Sequence, residues 1–106
     1  MVVTIFRNRL KPENIDEYYA WAGRMGALAK TMPGYVSHKT FTAEDGERVT
    51  IVEFADEASQ RRWATQADHL EAKKKGRSDF YTEYKIQICR VERESTFVAV
   101  KDKARA

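Results

Sequence analysis

The stretch that decides the fold is RRWATQADHLEAKKKGRSDFYTEYKIQICRV, residues 61–91. Its first part carries Trp63 on the apolar side of a short helix, and a break at Ala67 and Asp68 is expected before a further helical piece. Over residues 80–92, apolar and polar side chains alternate, which is typical of a strand whose two faces have different neighbours. The stretch therefore predicts a helical segment that leads into the last strand of a larger fold.

Upstream of this stretch, the sequence predicts one strand, one helix and a two-stranded hairpin. These elements cover residues 2–10, 15–32, 35–42 and 48–54, and Asp56 is expected to be the N-cap of the next helix. Pro33-Gly34 ends the first helix, and Asp45-Gly46 is a strong hairpin signal. The β-α-β-β-α-β order predicts the α+β, ferredoxin-like plan, with helices on one face of a four-stranded antiparallel sheet.

The face of the sheet that the helices leave uncovered predicts a second copy of the chain. In the first strand, either Val2, Thr4 and Phe6 or Val3 and Ile5 point away from the helices, so apolar side chains need another cover. A two-fold homodimer with facing sheets is the simplest cover. We expect one domain over residues 2–94 and a C-terminal extension over residues 95–106. The extension can add a short strand at residues 95–100, for instance to a neighbouring subunit, before a frayed tail.

Composition narrows the partners and the compartment. Lys and Arg number 19 against 16 Asp and Glu, and the two signs are interspersed, which disfavours a nucleic-acid partner. Cys89 is the only cysteine, so no intrachain disulfide forms, and a small buried or interface residue is its expected role. The start, MVVTIFRNRL, lacks the pattern of a secretory leader, and no apolar run approaches the roughly 20 residues of a membrane helix. The predicted location is the cytoplasm, with no membrane partner.

Several short motifs occur at the ends of the predicted elements. They are Asn8-Arg9-Leu10-Lys11-Pro12 at the end of the first strand, Met32-Pro33-Gly34-Tyr35 at the helix stop, the Asp45-Gly46 hairpin, and Glu53-Phe54 followed by Trp63. In this order they resemble the antibiotic biosynthesis monooxygenase superfamily, over about residues 2–94. The resemblance implies a small dimeric α+β barrel. It also implies either cofactor-free oxygenation of quinols and polyketides or heme degradation.

The same resemblance implies the site residues. Family sequences often carry Trp-x-x-His-Pro-x-His here, and this chain has Trp63-Ala64-Thr65-Gln66-Ala67-Asp68-His69, which keeps the tryptophan and the second histidine. His69 is the expected general base, Asn8 the amide that orients substrate or dioxygen, and Trp63 an aromatic wall. The expected substrate-binding residues are Trp63, Gln66, Phe80 and Tyr84. No cofactor and no metal site are expected.

Each of these side chains also has a purely structural interpretation. His69 can cap the helix break, Trp63 can belong to the core, and Asn8 can bond its own backbone at the end of a strand. The basic run over residues 73–77 could contact phosphate, but such runs are more often solvated helix faces. His38, on the second strand, is expected to be a surface or interface residue.

Three functions remain open on the sequence alone. The first is a cofactor-independent monooxygenase acting on an electron-rich aromatic or quinol-like small molecule. The second is a non-enzymatic module that binds a small molecule or mediates dimerisation. The third is heme binding or degradation, which is disfavoured because Lys73 stands roughly where the heme-degrading branch is expected to have a histidine, and lysine is protonated near neutral pH.

Overall fold

A computed structural model describes residues 1–100 of the chain. It contains β1 Val2–Leu10, α1 Ile15–Thr31, β2 Tyr35–Thr42, β3 Arg48–Phe54, α2 Glu57–Ala64, α3 Ala67–Lys75 and β4 Tyr81–Arg90, with a π-helical turn, Gly76–Phe80, before β4. The predicted order of elements is confirmed. Some boundaries differ from the prediction. The helix break lies at Thr65 and Gln66, and Phe80 belongs to the turn rather than to the last strand. In addition, α1 ends one residue earlier and β4 two residues earlier than expected.

The four strands form one antiparallel sheet in the order β2-β3-β1-β4, so the predicted α+β, ferredoxin-like arrangement is confirmed. β1 is central, and its residue Val2 lies opposite Phe54 on one side and Arg90 on the other. Because side chains alternate along a strand, Val2, Thr4 and Phe6 share the face on which the helices pack. Val3 and Ile5 therefore lie on the open face.

The core is small and lies at the end of the sheet where β3 leads into α2. Ala29 of α1, Phe54 of β3 and Trp63 of α2 are buried together, and Met25, Leu28 and Val52 pack around them. Each buried aromatic side chain of this size stabilises the fold by about 2–3 kcal/mol. This packing fixes α2 against the sheet and so determines where Trp63 and the residues after it are placed.

Local signals set the position of α2. The side chain of Asp56 accepts a hydrogen bond from the backbone N–H of Ser59 at 2.7 Å, so the predicted N-cap is confirmed. Gly34, with φ +82°, lies so close to Ser59 that a side chain at this position would collide with the serine hydroxyl. Only glycine adopts this backbone conformation readily, and the start of α2 can therefore pack directly on the turn after α1.

After β4 the described chain continues without a helix or a strand through residues 91–100. Phe97, Val98 and Val100 are exposed there, at 88%, 77% and 93% of their full surface. The strand expected at residues 95–100 does not form within this single chain, and its addition to a neighbouring subunit stays a prediction. The frayed tail expected after it, residues 101–106, lies outside the described residues.

Candidate active site

A cavity of about 270 Å³ lies between the sheet and the helices. Its walls are Trp21 and Met25 from α1, Phe6 and Ile86 from the sheet, and the residues of the α2–α3 region described below. The volume is close to the lower end of the range for small-molecule sites, roughly 300–1,000 Å³, and such sites are mostly apolar with few polar groups. The cavity suits a compact, planar ligand.

Trp63 and His69 form a stacked pair on one wall of the cavity. Their ring centroids are 4.0 Å apart and the planes differ by 13°. His69 Nδ1 lies 2.9 Å from the backbone carbonyl oxygen of Trp63. A carbonyl oxygen can only accept, so Nδ1 carries the proton and donates, and Nε2 keeps its lone pair in the neutral ring.

Burial reinforces the neutral state of His69. Removal of the ring from water lowers the pKa of His69 below its ordinary value of 6.5, and the nearby Lys73 lowers it further, while the hydrogen bond to Trp63 acts in the opposite direction. At neutral pH the side chain therefore presents an unprotonated nitrogen. A base of this kind can accept a proton from a ligand hydroxyl within the cavity.

The break between α2 and α3 explains why His69 is placed here. Gln66 caps α3, because its side-chain oxygen accepts from the backbone N–H of His69 at 2.9 Å. The last carbonyl oxygens of α2 have no partner within that helix, and two of them accept hydrogen bonds from side chains of α3. The Trp63 carbonyl accepts from His69, and the Ala64 carbonyl accepts from Lys73, with 2.8 Å between Nζ and the oxygen. The structural role predicted for His69, capping at the helix break, and its position in the cavity are thus both present.

The basic run over residues 73–77 does not form one solvated face. Lys73 lines the cavity, and burial lowers the pKa of its ammonium. Lys75 bridges Glu17 of α1 and Asp79 of the π-helical turn, at 2.8 and 3.0 Å. Lys74 and Arg77 are exposed. The run therefore holds α3 against α1 rather than offering a continuous surface to phosphate.

Phe80, at the end of the π-helical turn, and Tyr81, the first residue of β4, line the cavity. A Cβ atom at Gly76 would lie 2.6 Å from the ring of Tyr81, so glycine at this position is what lets the turn close over the tyrosine. Burial raises the pKa of Tyr81, which keeps its phenol protonated as a hydrogen-bond donor. Tyr81 was not predicted as a site residue, and Gly76, four residues before the pair Phe80-Tyr81, is the signal in the sequence that points to it.

Comparison with known proteins shows which family the chain belongs to. The sequence pattern of antibiotic biosynthesis monooxygenases matches residues 1–75. The chain belongs to the antibiotic biosynthesis monooxygenase family. YqjZ of Bacillus subtilis (strain 168), an uncharacterised protein, is 31% identical over 88 residues, which are 83% of this chain and 77% of YqjZ.

Several solved structures have the same fold as this family member. A structure described as a putative antibiotic biosynthesis monooxygenase from Deinococcus radiodurans has a TM-score of 0.81 at 9% identity, covering 93% of this chain and all (100%) of its own. SnoaB from Streptomyces nogalater, a cofactor-independent oxygenase, has a TM-score of 0.73 at 20% identity, covering 88% of this chain and 94% of its own. At such identities the likeness establishes the fold alone.

The structure of this family member brings together most, but not all, of the predicted site residues. Trp63, His69, Phe80 and Tyr84 line the cavity. Gln66 does not line it, because its side chain is used to cap α3. The predicted substrate-binding wall is therefore formed without Gln66.

Asn8 also lies outside the cavity wall. It is 2% exposed and lies between Arg48 of β3 and Tyr84 of β4 in the sheet register. Its side-chain oxygen is buried and has no hydrogen-bond partner within the described chain. Asn8 therefore does not reach the space in which a ligand of this cavity would lie.

His38 was predicted to be a surface or interface residue, and the structure places it, half-buried, in the cavity wall. Its ring lines the cavity, 3.3 Å from where a Cβ atom at Gly26 would lie, and Nδ1 is 2.7 Å from the Tyr35 hydroxyl. Burial lowers its pKa. The helix α1 covers this part of β2 because Gly26 leaves room for the imidazole, and the spacing of the sequence alone did not show which strand face α1 would cover.

Residues 1–100 contain neither a membrane-spanning helix nor a cluster of metal-binding side chains. No helix in this range is both long and apolar enough to span a bilayer. No group of three or more His, Cys, Asp or Glu side chains in the same range is arranged to hold a metal ion.

Proposed function

We propose that this protein is a cofactor-independent monooxygenase that acts on an electron-rich aromatic or quinol-like molecule bound in the cavity between sheet and helices. The observation that carries the proposal is the state of His69. Its Nδ1 is bound to the Trp63 carbonyl, its pKa is lowered by burial, and its ring lines the cavity. A neutral imidazole fixed by a backbone carbonyl is suited to remove a proton from a ligand hydroxyl.

In the proposed reaction, His69 Nε2 takes the proton of a phenolic hydroxyl. The electron-rich anion then reduces dioxygen, and a bond forms between a ring carbon and one oxygen atom. The O–O bond breaks when the second oxygen leaves as water, with one hydrogen from that carbon and the proton that His69 returns. For a hydroquinone, the products are a hydroxyquinone and one water, so the four electrons that dioxygen accepts come from the substrate.

The other walls serve this chemistry by shape and by exclusion of water. Trp63 and Phe80 are almost completely buried and offer flat aromatic surfaces to a planar ring. Tyr81 keeps its hydroxyl proton and can donate to an oxygen of the ligand or of the peroxide. Asn8 lies between Arg48 and Tyr84 in the sheet and does not line the cavity, so it has no direct part in the proposed reaction.

Turnover is tested with oxygen-18 gas and a panel of hydroquinones, beginning with 1,4-naphthohydroquinone. We expect enzyme-dependent oxygen uptake above autoxidation, one labelled oxygen atom in the product, and unchanged turnover after dialysis against EDTA. The same rate with heat-denatured protein would contradict the proposal. A co-purified aromatic molecule in native mass spectrometry, with no uptake across the panel, would instead favour the binding module.

The proposal includes a homodimer. The open face of the sheet carries Val3, Ile5 and Ile51, and Phe41 at its edge is 49% exposed. The apolar residues after β4 are also uncovered in the single chain. Apolar surface of this kind favours association with a second copy. Sedimentation equilibrium at micromolar concentration is expected to give twice the mass of one chain, and a single-chain mass would contradict it. A cytoplasmic location stays a prediction from the sequence.

A further inference from the structure

Arg48 is a charged side chain in the cavity wall for which the described chain supplies no counter-charge. It lies on β3, on the face that the helices cover, and lines the cavity. Its Nη1 is buried and has no hydrogen-bond partner among residues 1–100. A buried N–H group of a cation that lacks an acceptor is unfavourable, because the group loses its hydrogen bonds to water without replacement. A ligand oxygen that enters the cavity would satisfy this N–H group, as would the side-chain oxygen of Asn8, which is also without a partner and lies opposite Arg48 in the register.

The neighbouring arginines on β1, Arg7 and Arg9, are paired with carboxylates, in contrast to Arg48. Arg7, the residue before Asn8, lies on the open face. It forms a bidentate ion pair with Glu47, with N–O distances of 2.8 and 3.0 Å. Arg9 binds both Asp45 and Glu83. Carboxylates are thus available along this end of the sheet, but they pair with the arginines of the opposite face.

The charged side chains that line the cavity are all positive. Arg48 and Lys73 contribute to the wall, and no Asp or Glu does. The guanidinium of Arg48 lies 5.1 Å from the ring centroid of Tyr18 and 5.6 Å from that of Tyr19, so aromatic faces hold it in place without neutralising it. A fixed planar donor beside an aromatic cavity is suited to a ligand oxygen that carries negative charge.

We propose that Arg48 is an anion-binding residue and that the ligand of this cavity is an aromatic molecule with an ionised oxygen, either a carboxylate or a phenolate. This inference names the chemical class of the substrate and in that sense rests on the proposed function. Its test measures binding without dioxygen chemistry, so that the two can fail separately.

The first arm compares 2-naphthoate with 2-naphthamide, which have nearly the same shape and differ in charge, by isothermal titration at neutral pH. The second arm follows the ionised fraction of 4-nitrophenol by absorbance as protein is added. We expect the wild type to bind the carboxylate at least about tenfold more tightly than the amide, or to shift nitrophenol toward its anion, because hydrogen bonds to charged groups contribute this much. Arg48→Gln is expected to abolish the preference, and Arg48→Lys to retain part of it.

Arg7→Gln is the matched control, since it removes an arginine of the open face by the same substitution and leaves the cavity intact. It is expected to keep the wild-type preference. Circular dichroism checks that Arg48→Gln is folded; if it is not, the wild-type preference in both arms and its partial retention in Arg48→Lys decide the question.

Equal binding of naphthoate and naphthamide together with no shift of nitrophenol in the wild type would overturn the inference. So would a preference that survives in folded Arg48→Gln, since Arg48 would then serve only the packing of Asn8 and Tyr18. Oxygen uptake without an anion preference would leave the proposed function standing, and an anion preference without uptake would leave this inference standing.

Discussion

Replacement of His69 by asparagine separates its chemical role from its structural one. Asparagine can place an N–H group where Nδ1 now donates to the Trp63 carbonyl at 2.9 Å, but it has no basic nitrogen at the position of Nε2. Alanine removes both. If His69 is the general base, both variants are expected to lower kcat by a similar factor, about 10²–10⁴.

Stability is expected to distinguish the same two variants. His69→Ala loses a partly buried hydrogen bond, about 1 kcal/mol, and the stack on Trp63 at 4.0 Å, about another 1 kcal/mol. The expected fall in the free energy of unfolding is about 2 kcal/mol for alanine and about 1 kcal/mol for asparagine. Urea denaturation measures both values.

The pH dependence provides an independent check with a defined sign. The folded-state pKa of His69 is lowered, so the unfolded chain binds the proton more readily below pH 6.5. Stability should therefore fall as the pH decreases through 6.5, and level off below the folded-state pKa. The wild-type kcat/KM should fall over the acid side of the same range, as the base becomes protonated. His38, whose pKa is lowered too, contributes in the same direction to stability, so the difference between wild type and His69→Asn isolates the share of His69.

Activity of His69→Asn within a few-fold of wild type would refute the assignment of the base. So would an activity profile of the wild type that is flat from neutral pH down to the onset of acid unfolding. Equal stability of His69→Ala and wild type would show instead that the bond to the Trp63 carbonyl contributes nothing to the fold.

Further changes test how the scaffold holds the site. Asp56→Ala removes the N-cap of α2 and is expected to lower the free energy of unfolding by about 1 kcal/mol in urea denaturation; an unchanged midpoint would contradict this. Gly76→Ala places a methyl group 2.6 Å from the Tyr81 ring, so a loss of about 1–3 kcal/mol and an altered near-ultraviolet dichroism spectrum are expected. Trp63→Ala empties the core beside the cavity and should cost about 3–5 kcal/mol, seen as a large fall in melting temperature.

The elements of the fold could be predicted because their signals are local. Asp56 at the start of α2 and Pro33-Gly34 after α1 specify helix ends through the backbone conformation of a few neighbouring residues. The alternation after Phe80 likewise specifies a strand with two faces. These signals need no knowledge of distant contacts, and all of them hold in the structure.

The cavity could be predicted only in part, because it is formed by residues distant in the chain. Trp63 and His69 were found through a motif with fixed spacing. Arg48 and His38 gave no such signal, since their roles depend on which face of β2 and β3 the helix α1 covers. Asn8 matched the expected strand position, but the register places it between Arg48 and Tyr84 and away from the cavity wall. The sequence shows the type of a residue, and the packing of helices on the sheet decides whether that residue reaches the ligand.

Proton transfer to His69 links the base to the unpaired guanidinium. A phenol ordinarily has a pKa near 10, and the pKa of His69 lies below 6.5, so transfer between them is unfavourable by at least about 5 kcal/mol if nothing stabilises the anion. Burial of His69 increases this difference. The proposed reaction therefore requires a cavity that favours the phenolate, and Arg48 and Lys73 are the cations in its wall, with no carboxylate partner among the described residues. A buried imidazole is by itself a weak base for a phenol, and in the proposed reaction the unpaired guanidinium would compensate by stabilising the anion from which electrons pass to dioxygen.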